Sequence, residues 1–209
     1  MSMIPATLDR AKRPQKRPRA TLLARACAVA VLLGLAGCGS FSPPPETFDL
    51  SLPSASGTRG AAGRLIVVSE PQALQALESD RIVVRSGDGT LSFLPGVQWS
   101  DRLPRLLQSR IVQGFENAGR AVGRPGTGLA ADAAIQSELR FFGVSTAGET
   151  QAVIELSAKL VNGSGKIVSA RIFRATAPLA AVDGKAAAAA LDQATGKLIA
   201  DMVRWTGGR

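Results

Sequence analysis

The sequence predicts an α/β domain with a mixed β-sheet and helices packed on it. Segments that alternate apolar and polar residues with period 2, as half-buried strands do, recur between residues 47 and 175. Two segments with helical spacing, at residues 101–119 and 184–206, follow the first and the last group of strands. The order strands, helix, three strands, helix is typical of one mixed sheet that carries helices.

The first strands follow from two different patterns. Phe48, Leu50 and Leu52 alternate with polar neighbours, which predicts a half-buried strand. Residues 54–63 are rich in serine and glycine and are interpreted as a loop. Residues 65–68 form a continuous apolar run, which is typical of a strand covered on both faces.

A β-hairpin is predicted after a short helical segment. One or two helical turns are expected from Pro71 to about residue 80. Residues 81–86 and 91–94 then flank a Gly-Asp-Gly turn and predict two antiparallel strands. A phosphate-binding loop is the alternative for this turn, but neither a helix start nor a lysine followed by serine or threonine comes after it.

The longest amphipathic helix is predicted to begin at Asp101, a favourable N-cap, and to run to about Gly119. Residues 119–128 are rich in glycine and are interpreted as a loop. The residues expected on the buried stripe of the helix are Leu103, Leu107, Ile111, Phe115 and Ala118.

The second half of the chain predicts three strands and a terminal helix. Alternation marks strands at residues 135–141 and 152–160, and a strong hairpin turn with the sequence NGSG leads into a returning strand at residues 166–175. A helix is expected at residues 184–206. Its buried stripe would contain Leu191, Ala194, Leu198, Met202 and Trp205.

The first 37 residues are interpreted as an export signal. Seven basic residues and one acid precede an apolar run at residues 26–37, which fits the ~7–15 residues of a signal core and is shorter than the ~20 that span a bilayer. Residues 35–38 read LAGC, which resembles the lipobox of bacterial lipoproteins, where the chain is cut before the cysteine and its thiol is acylated. An ordinary secretory cleavage site is the alternative. We predict a signal peptide at 1–37, a lipidated N-terminus and tether at 38–46, and one domain at 47–209.

Removal of that signal changes which functions the composition favours. The whole chain has a formal charge of +9, but only about +3 remains after residue 37, without a dense basic stripe for nucleic acid. The chain has no histidine, and its two cysteines are Cys27 in the signal and Cys38. Metal sites built on cysteine and histidine, and nucleophiles activated by histidine, are therefore excluded. We predict that the protein is not an enzyme and binds neither metal nor cofactor.

Three residues are candidates for a partner interface. Arg81 and Arg85 fall on one strand face, where they are either solvated edge charges or contacts for an acidic partner or a lipid headgroup. Trp99 lies at a strand-to-helix junction, where a core position and a partly exposed interface position are both open.

Several ordered blocks resemble one family, the ABC-type transport auxiliary lipoproteins, which includes the paraquat-inducible protein C type. Residues 80–85 (DRIVVR) resemble a strand of that family, and residues 93–104 (FLPGVQWSDRLP) resemble its strand, turn, tryptophan and helix start. The helical segments at residues 106–110 (LLQSR) and from residue 190 to residue 205 are similar to that family as well. The resemblance runs from Phe48 to Trp205 and contains no catalytic signature.

The resemblance implies a single three-layer α/β domain around a mixed sheet, similar to the N-terminal domain of TolB. It also implies a non-enzymatic accessory subunit that works with an MCE-domain protein and, through it, with an ABC permease and ATPase. Such systems move phospholipids or other hydrophobic molecules between the two membranes. Lipoproteins of this type carry a covalent diacylglycerol and an acyl chain on the cysteine, which is Cys38 here.

The position after the cysteine indicates which membrane holds the anchor. Gly39 stands where an aspartate would favour retention in the inner membrane, so the outer membrane, facing the periplasm, is predicted and the inner membrane is less favoured. A lipid-binding carrier and a structural envelope lipoprotein are the alternative functions. Assembly into a homo-oligomer is left open.

Overall fold

The structure is a computed structural model that describes residues 43–51, 63–128 and 130–207. The predicted signal peptide, Cys38 and most of the loop predicted at residues 54–63 lie outside the described residues.

The first two strands are short. β1 spans Glu46–Phe48 and ends before the predicted limit, because the side chain of Asp49 takes the next backbone donor, the N–H of Leu50 (2.9 Å). β2 spans Ile66–Val68. All three of its residues are buried, as the continuous apolar run predicts.

The segment after β2 differs from the prediction of helical turns. It forms a two-residue strand, β3 (Gln72–Ala73), and a single 3-10 turn at Gln75–Leu77. β3 pairs with Leu139 and its neighbour on a long later strand, and Leu77 is buried. In this segment, backbone pairing of β3 with a strand far along the chain therefore takes the place of the first predicted helical turn.

The predicted hairpin is present. β4 spans Arg81–Arg85, β5 spans Leu91–Trp99, and the two strands pair antiparallel. In the turn, the N–H of Ser86 donates to the Thr90 carbonyl at 2.9 Å, and Gly89 has a φ of 88°, a conformation that favours glycine. β5 continues five residues beyond its predicted end, through a register shift against β4.

The first helix, α1, spans Leu103–Asn117. The prediction that Asp101 is its N-cap was wrong. The residue that caps the helix is Arg102, without a side-chain capping bond. The Asp101 carboxylate accepts the N–H of Arg102 at 2.7 Å, one residue before the helical donors. All five residues predicted on the buried stripe are in the core.

The loop predicted at residues 119–128 contains a strand that the sequence did not predict, β6 (Val122–Gly123). It pairs parallel with β2. Two residues are too few to show a periodicity, so only pairing with β2 marks this strand.

Three long strands form an antiparallel meander in the second half of the chain, as predicted. β7 spans Ala133–Ser145, β8 spans Gln151–Asn162 and β9 spans Ile167–Pro178. A bulge in β7 between Leu139 and Phe141 shifts its register against β8.

The sheet is organised around β7. One edge of β7 pairs with β8, which in turn pairs with β9. The other edge pairs in succession with β2, β3 and β4, all parallel to it. β5 pairs with β4, β1 pairs parallel with β5, and β6 pairs with β2.

The contact between β4 and β7 depends on Gly143. Val83 stands opposite Gly143 in the parallel register. A Cβ built on Gly143 would overlap the backbone carbonyl of Val83. A side chain at this position would therefore push the hairpin away from the centre of the sheet.

The terminal helix, α2, spans Gly184–Gly207, within one residue of its prediction, and its predicted stripe is buried. Asp183 accepts the N–H of Ala186 at 2.8 Å at the start of the helix. Near its end, Trp205 packs edge-on against Phe173 of β9 with ring centroids 5.5 Å apart.

The mixed α/β class is confirmed. α1 and α2 contact each other and the sheet, and buried residues from both helices and from the strands form one hydrophobic cluster. The described part of the chain thus consists of a curled mixed sheet and this helix pair, without a further helical layer.

Candidate functional site

Four side chains of the β4–β5 hairpin form a basic and apolar surface. Directly opposed residues of an antiparallel pair point to the same face of a sheet. Leu91 stands opposite Arg85, Phe93 stands opposite Val83, and Arg81 lies two residues before Val83 on the same strand. We call Arg81, Arg85, Leu91 and Phe93 the hairpin face.

Each arginine of the hairpin face lies over an aromatic ring. The guanidinium carbon of Arg81 is 4.7 Å from the ring centroid of Phe93, and that of Arg85 is 3.9 Å from the ring centroid of Phe141 on β7. Cation–π contacts of this kind contribute about 0.5–1 kcal/mol at exposed sites. They hold both charges against the sheet while leaving the guanidinium N–H groups for a ligand.

The two arginines lack acidic partners among the described residues. Neither guanidinium makes an ion pair or a side-chain hydrogen bond in the part of the chain that the structure describes, and β4 and β5 contain no acidic residue. Arg102, by contrast, is 2.7 Å from Glu70 and 2.6 Å from Glu78. Neither arginine of the hairpin face is therefore neutralised by a direct ion pair among the described residues.

The apolar half of the hairpin face was missed in the sequence. Leu91 is 52% exposed and Phe93 is 41% exposed, although both belong to a strand whose other apolar residues are buried. The signal for them is the cross-strand register, which places them on the face of the two arginines. That register becomes visible only when the turn and both strands are aligned.

Trp99 is a core residue, so its interpretation as part of an exposed interface was wrong. The side chain is 1% exposed and packs edge-on against Phe142, with ring centroids 5.8 Å apart. Its backbone N–H donates to the Asp80 carbonyl at 2.7 Å, and β1 covers it through Phe48 in the parallel register. The junction that Trp99 occupies is enclosed by strands on both sides.

An ion pair connects the end of β1 to α1. The Asp49 carboxylate accepts hydrogen bonds from Arg110 Nη2 at 2.6 Å and from the Ser100 hydroxyl at 3.0 Å. Partial burial raises the pKa of Asp49, but the hydrogen bonds from Arg110 and Ser100 and the charge of Arg110 outweigh it, so the pKa lies below its usual value.

This pair predicts a loss of stability in acid. The pKa of Asp49 is lower in the folded than in the unfolded protein. The ion pair therefore contributes to the unfolding free energy fully above the unfolded-state pKa of about 3.9, and this contribution is lost as the pH falls through the folded-state pKa. We expect Asp49→Asn and Arg110→Met each to flatten the decrease in unfolding free energy below pH ~4, measured by urea titrations over a pH series. A wild-type pH slope in both variants would contradict this assignment.

Comparison with known proteins identifies the family. Residues 48–203 match a family model described as the ABC-type transport auxiliary lipoprotein component. The match covers about three quarters of the chain. The chain belongs to this family.

Solved structures place this auxiliary lipoprotein among similar folds. It is similar to protein XCC0632 from Xanthomonas campestris, with 28% sequence identity and a TM-score of 0.68, over 77% of this chain and 93% of that one. A second structure, titled only as an uncharacterized protein, is 16% identical with a TM-score of 0.64, over 78% of this chain and 99% of that one. The second likeness concerns the fold alone.

A curated relative is considerably longer than this auxiliary lipoprotein. The chain is 30% identical over 184 residues to the uncharacterized protein bll6063 of Bradyrhizobium diazoefficiens. The alignment covers 84% of this chain and 49% of that protein, so the chain spans about half the length of the curated relative.

Two grooves formed by the described residues have polar linings. One of about 280 Å³ lies beside β3 and is lined by serine, glutamine, glutamate and lysine side chains. Another, of about 470 Å³, surrounds the Asp49–Arg110 pair. Among residues 43–51, 63–128 and 130–207 there is no group of three side chains suited to a metal ion and no helix long and apolar enough to cross a membrane.

Proposed function

We propose that the chain is a non-enzymatic accessory subunit of an ABC transport system of the MCE type, which moves phospholipids or other hydrophobic molecules between the two membranes. In this proposal, acylated Cys38 anchors it in the outer membrane and the domain faces the periplasm. The single observation that carries the proposal is the family match over residues 48–203. The LAGC sequence at residues 35–38 supports the anchor.

The amino-acid composition of the chain supports a binding role rather than catalysis. The chain has no histidine, and the residues after Cys38 contain no cysteine. The buried hydrophobic side chains of the described residues form one packed core. Binding partners through a fixed surface needs only the exposed charged and apolar groups that the hairpin face provides.

The polar groove beside β3 does not support the carrier alternative. A lipid tail requires an apolar cavity, because burying hydrocarbon against polar side chains gains little free energy. The groove beside β3 is lined by Ser69, Glu70, Gln72 and further polar side chains. A docking subunit is therefore the better-supported function.

The experiment is capture of the transport partners from the native membrane. The lipidated protein with a C-terminal affinity tag is crosslinked in cells, solubilised in detergent and purified. We expect the MCE-domain protein and its permease among the crosslinked products, and the tagged protein in the outer-membrane fraction of a density gradient. An unrelated outer-membrane lipoprotein with the same tag serves as the control. Recovery with the inner membrane would contradict the location, and repeated absence of the MCE-domain protein would contradict the partnership.

A further inference from the structure

We propose, on the basis of the acylation of Cys38 proposed above, that the hairpin face docks on the surface of the anchoring bilayer by binding anionic phospholipid headgroups. Arg81 and Arg85 would bind headgroup phosphates, while Leu91 and Phe93 enter the boundary between headgroups and acyl chains. The domain would then lie with its β4–β5 side against the membrane instead of moving freely on its tether.

The chemistry of the hairpin face matches an anionic lipid surface. Guanidinium groups form bidentate hydrogen bonds with phosphate, and Arg81 and Arg85 have no acid to satisfy them among the described residues. Exposed apolar side chains beside basic ones are typical of surfaces that bind membranes without spanning them. The two arginines are four positions apart along β4, so their Cα atoms are roughly 13 Å apart, enough to contact different headgroups.

The direction of β1 leads the tether toward the hairpin face. β1 runs parallel to β5, with Glu46 opposite Val97. The chain before Glu46 therefore leads toward the Leu91 end of β5, which lies six residues, or about 20 Å, from Val97 along the strand. Residues 43–45, the described part of this approach, are exposed.

The length of the tether keeps the hairpin face within reach of the anchor. Whatever their conformation, the eight residues 38–45 span at most about 29 Å. The turn between β8 and β9 lies at the opposite end of the sheet, about 40 Å from the β4–β5 turn along the 13-residue strand β7, and is therefore farther from Glu46 along the strands than the Leu91 end is. An attached bilayer acts at a high effective concentration, so even a small surface can remain docked.

The test places a fluorophore beside the hairpin face of the lipidated full-length protein. After signal removal and acylation of Cys38 the chain has no free thiol, so a Thr90→Cys variant accepts a single environment-sensitive label. Ser164→Cys labels the β8–β9 turn as a control, since both positions are exposed turn residues. In vesicles with phosphatidylglycerol, compared with phosphatidylcholine alone, we expect a shift to shorter emission wavelengths at position 90 and none at position 164.

A pair of charge-matched variants tests the arginines. Arg81→Gln with Arg85→Gln should lower the docking equilibrium constant about 30-fold, because each arginine near an anionic surface contributes about fivefold. Arg171→Gln with Arg174→Gln on β9 removes the same charge, and Arg171 also lies over a phenylalanine ring, at 5.0 Å. That control pair should leave the label at position 90 unchanged.

Three results would overturn the proposal. The first is the same emission at position 90 in both kinds of vesicle, and the second is an equal effect of the two double variants. The third is loss of the crosslink to the MCE-domain protein in Arg81→Gln with Arg85→Gln, without any change in the lipid response, which would make the hairpin face a protein interface. Mass spectrometry of the N-terminal peptide verifies acylation of Cys38, and the partner capture described above is scored separately. Failure of docking is thus distinguishable from failure of the proposed function.

Discussion

Cys38→Ser, placed behind a standard cleaved secretory signal, is expected to transfer nearly all of the protein from the membrane to the soluble periplasmic fraction. Each buried CH₂ of an acyl chain contributes about 0.8 kcal/mol to membrane binding, so two or more acyl chains hold a protein stably in the membrane. Serine is not acylated at this position and provides no such anchor. The hairpin face alone would give only weak, salt-sensitive association. The measurement is immunodetection after separation of periplasm and membranes.

The control for this prediction is the other cysteine. Cys27→Ser in the natural leader changes a residue of the apolar run that is removed with the signal, so membrane attachment should be unaffected. The secretory leader is needed in the test variant because an uncleaved signal could itself hold the chain in the membrane. Retention of Cys38→Ser in salt-washed membranes would show that another element anchors the protein.

Gly143→Ala is expected to destabilise the fold by about 3 kcal/mol. Its Cβ would overlap the carbonyl of Val83, and backbone atoms in a paired ladder cannot move without breaking the hydrogen bonds between β4 and β7. Val83 is itself 1% exposed, so the displacement would also open the core. Urea titration followed by tryptophan fluorescence measures the effect through the buried Trp99.

A second glycine provides the matched control. A Cβ on Gly196 in α2 would meet nothing within 4 Å, and alanine is favoured over glycine in a helix by about 1 kcal/mol. Gly196→Ala should therefore raise the urea midpoint slightly, the opposite sign from the same substitution at Gly143. Unchanged stability of Gly143→Ala would mean that the β4–β7 contact has more room than the structure indicates.

Segments with a long, regular pattern were predicted closely. The meander strands show their alternation over seven to ten residues and both helices show their periodicity over more than ten, so the buried stripes from Leu103 to Ala118 and from Leu191 to Trp205 were correct. In such segments the local pattern of apolar residues and the burial required by the fold coincide.

Two of the errors occur where distant strands decide local structure, and a third occurs at the start of α1. β3 and β6 have two residues each and exist because β7 and β2 pair with them. Asp101 has the residue type of an N-cap, but its carboxylate binds the N–H of Arg102 one residue before the helix. Local propensity contains no information about the distant pairing of β3 and β6.

The same distinction between local patterns and distant contacts applies to the candidate site. The sequence pointed to Arg81 and Arg85 because both lie on one face of a predicted strand. It could not exclude Trp99 from an interface, since burial at 1% results from contacts with Phe142 and with β1. It also missed Leu91 and Phe93, which no element among the described residues covers completely.

The sequence by itself determined the family, the order of the main elements and the prediction of an acylated Cys38, because motifs and periodicities are properties of contiguous residues. Only the tertiary structure decided that the arginines of β4 meet Leu91 and Phe93 and that the chain before β1 leads toward the same hairpin. Those relations depend on pairing between residues far apart in the chain, such as Glu46 with Val97 and Val83 with Gly143. Such pairs form through shared hydrogen bonds and packing, which no single segment specifies.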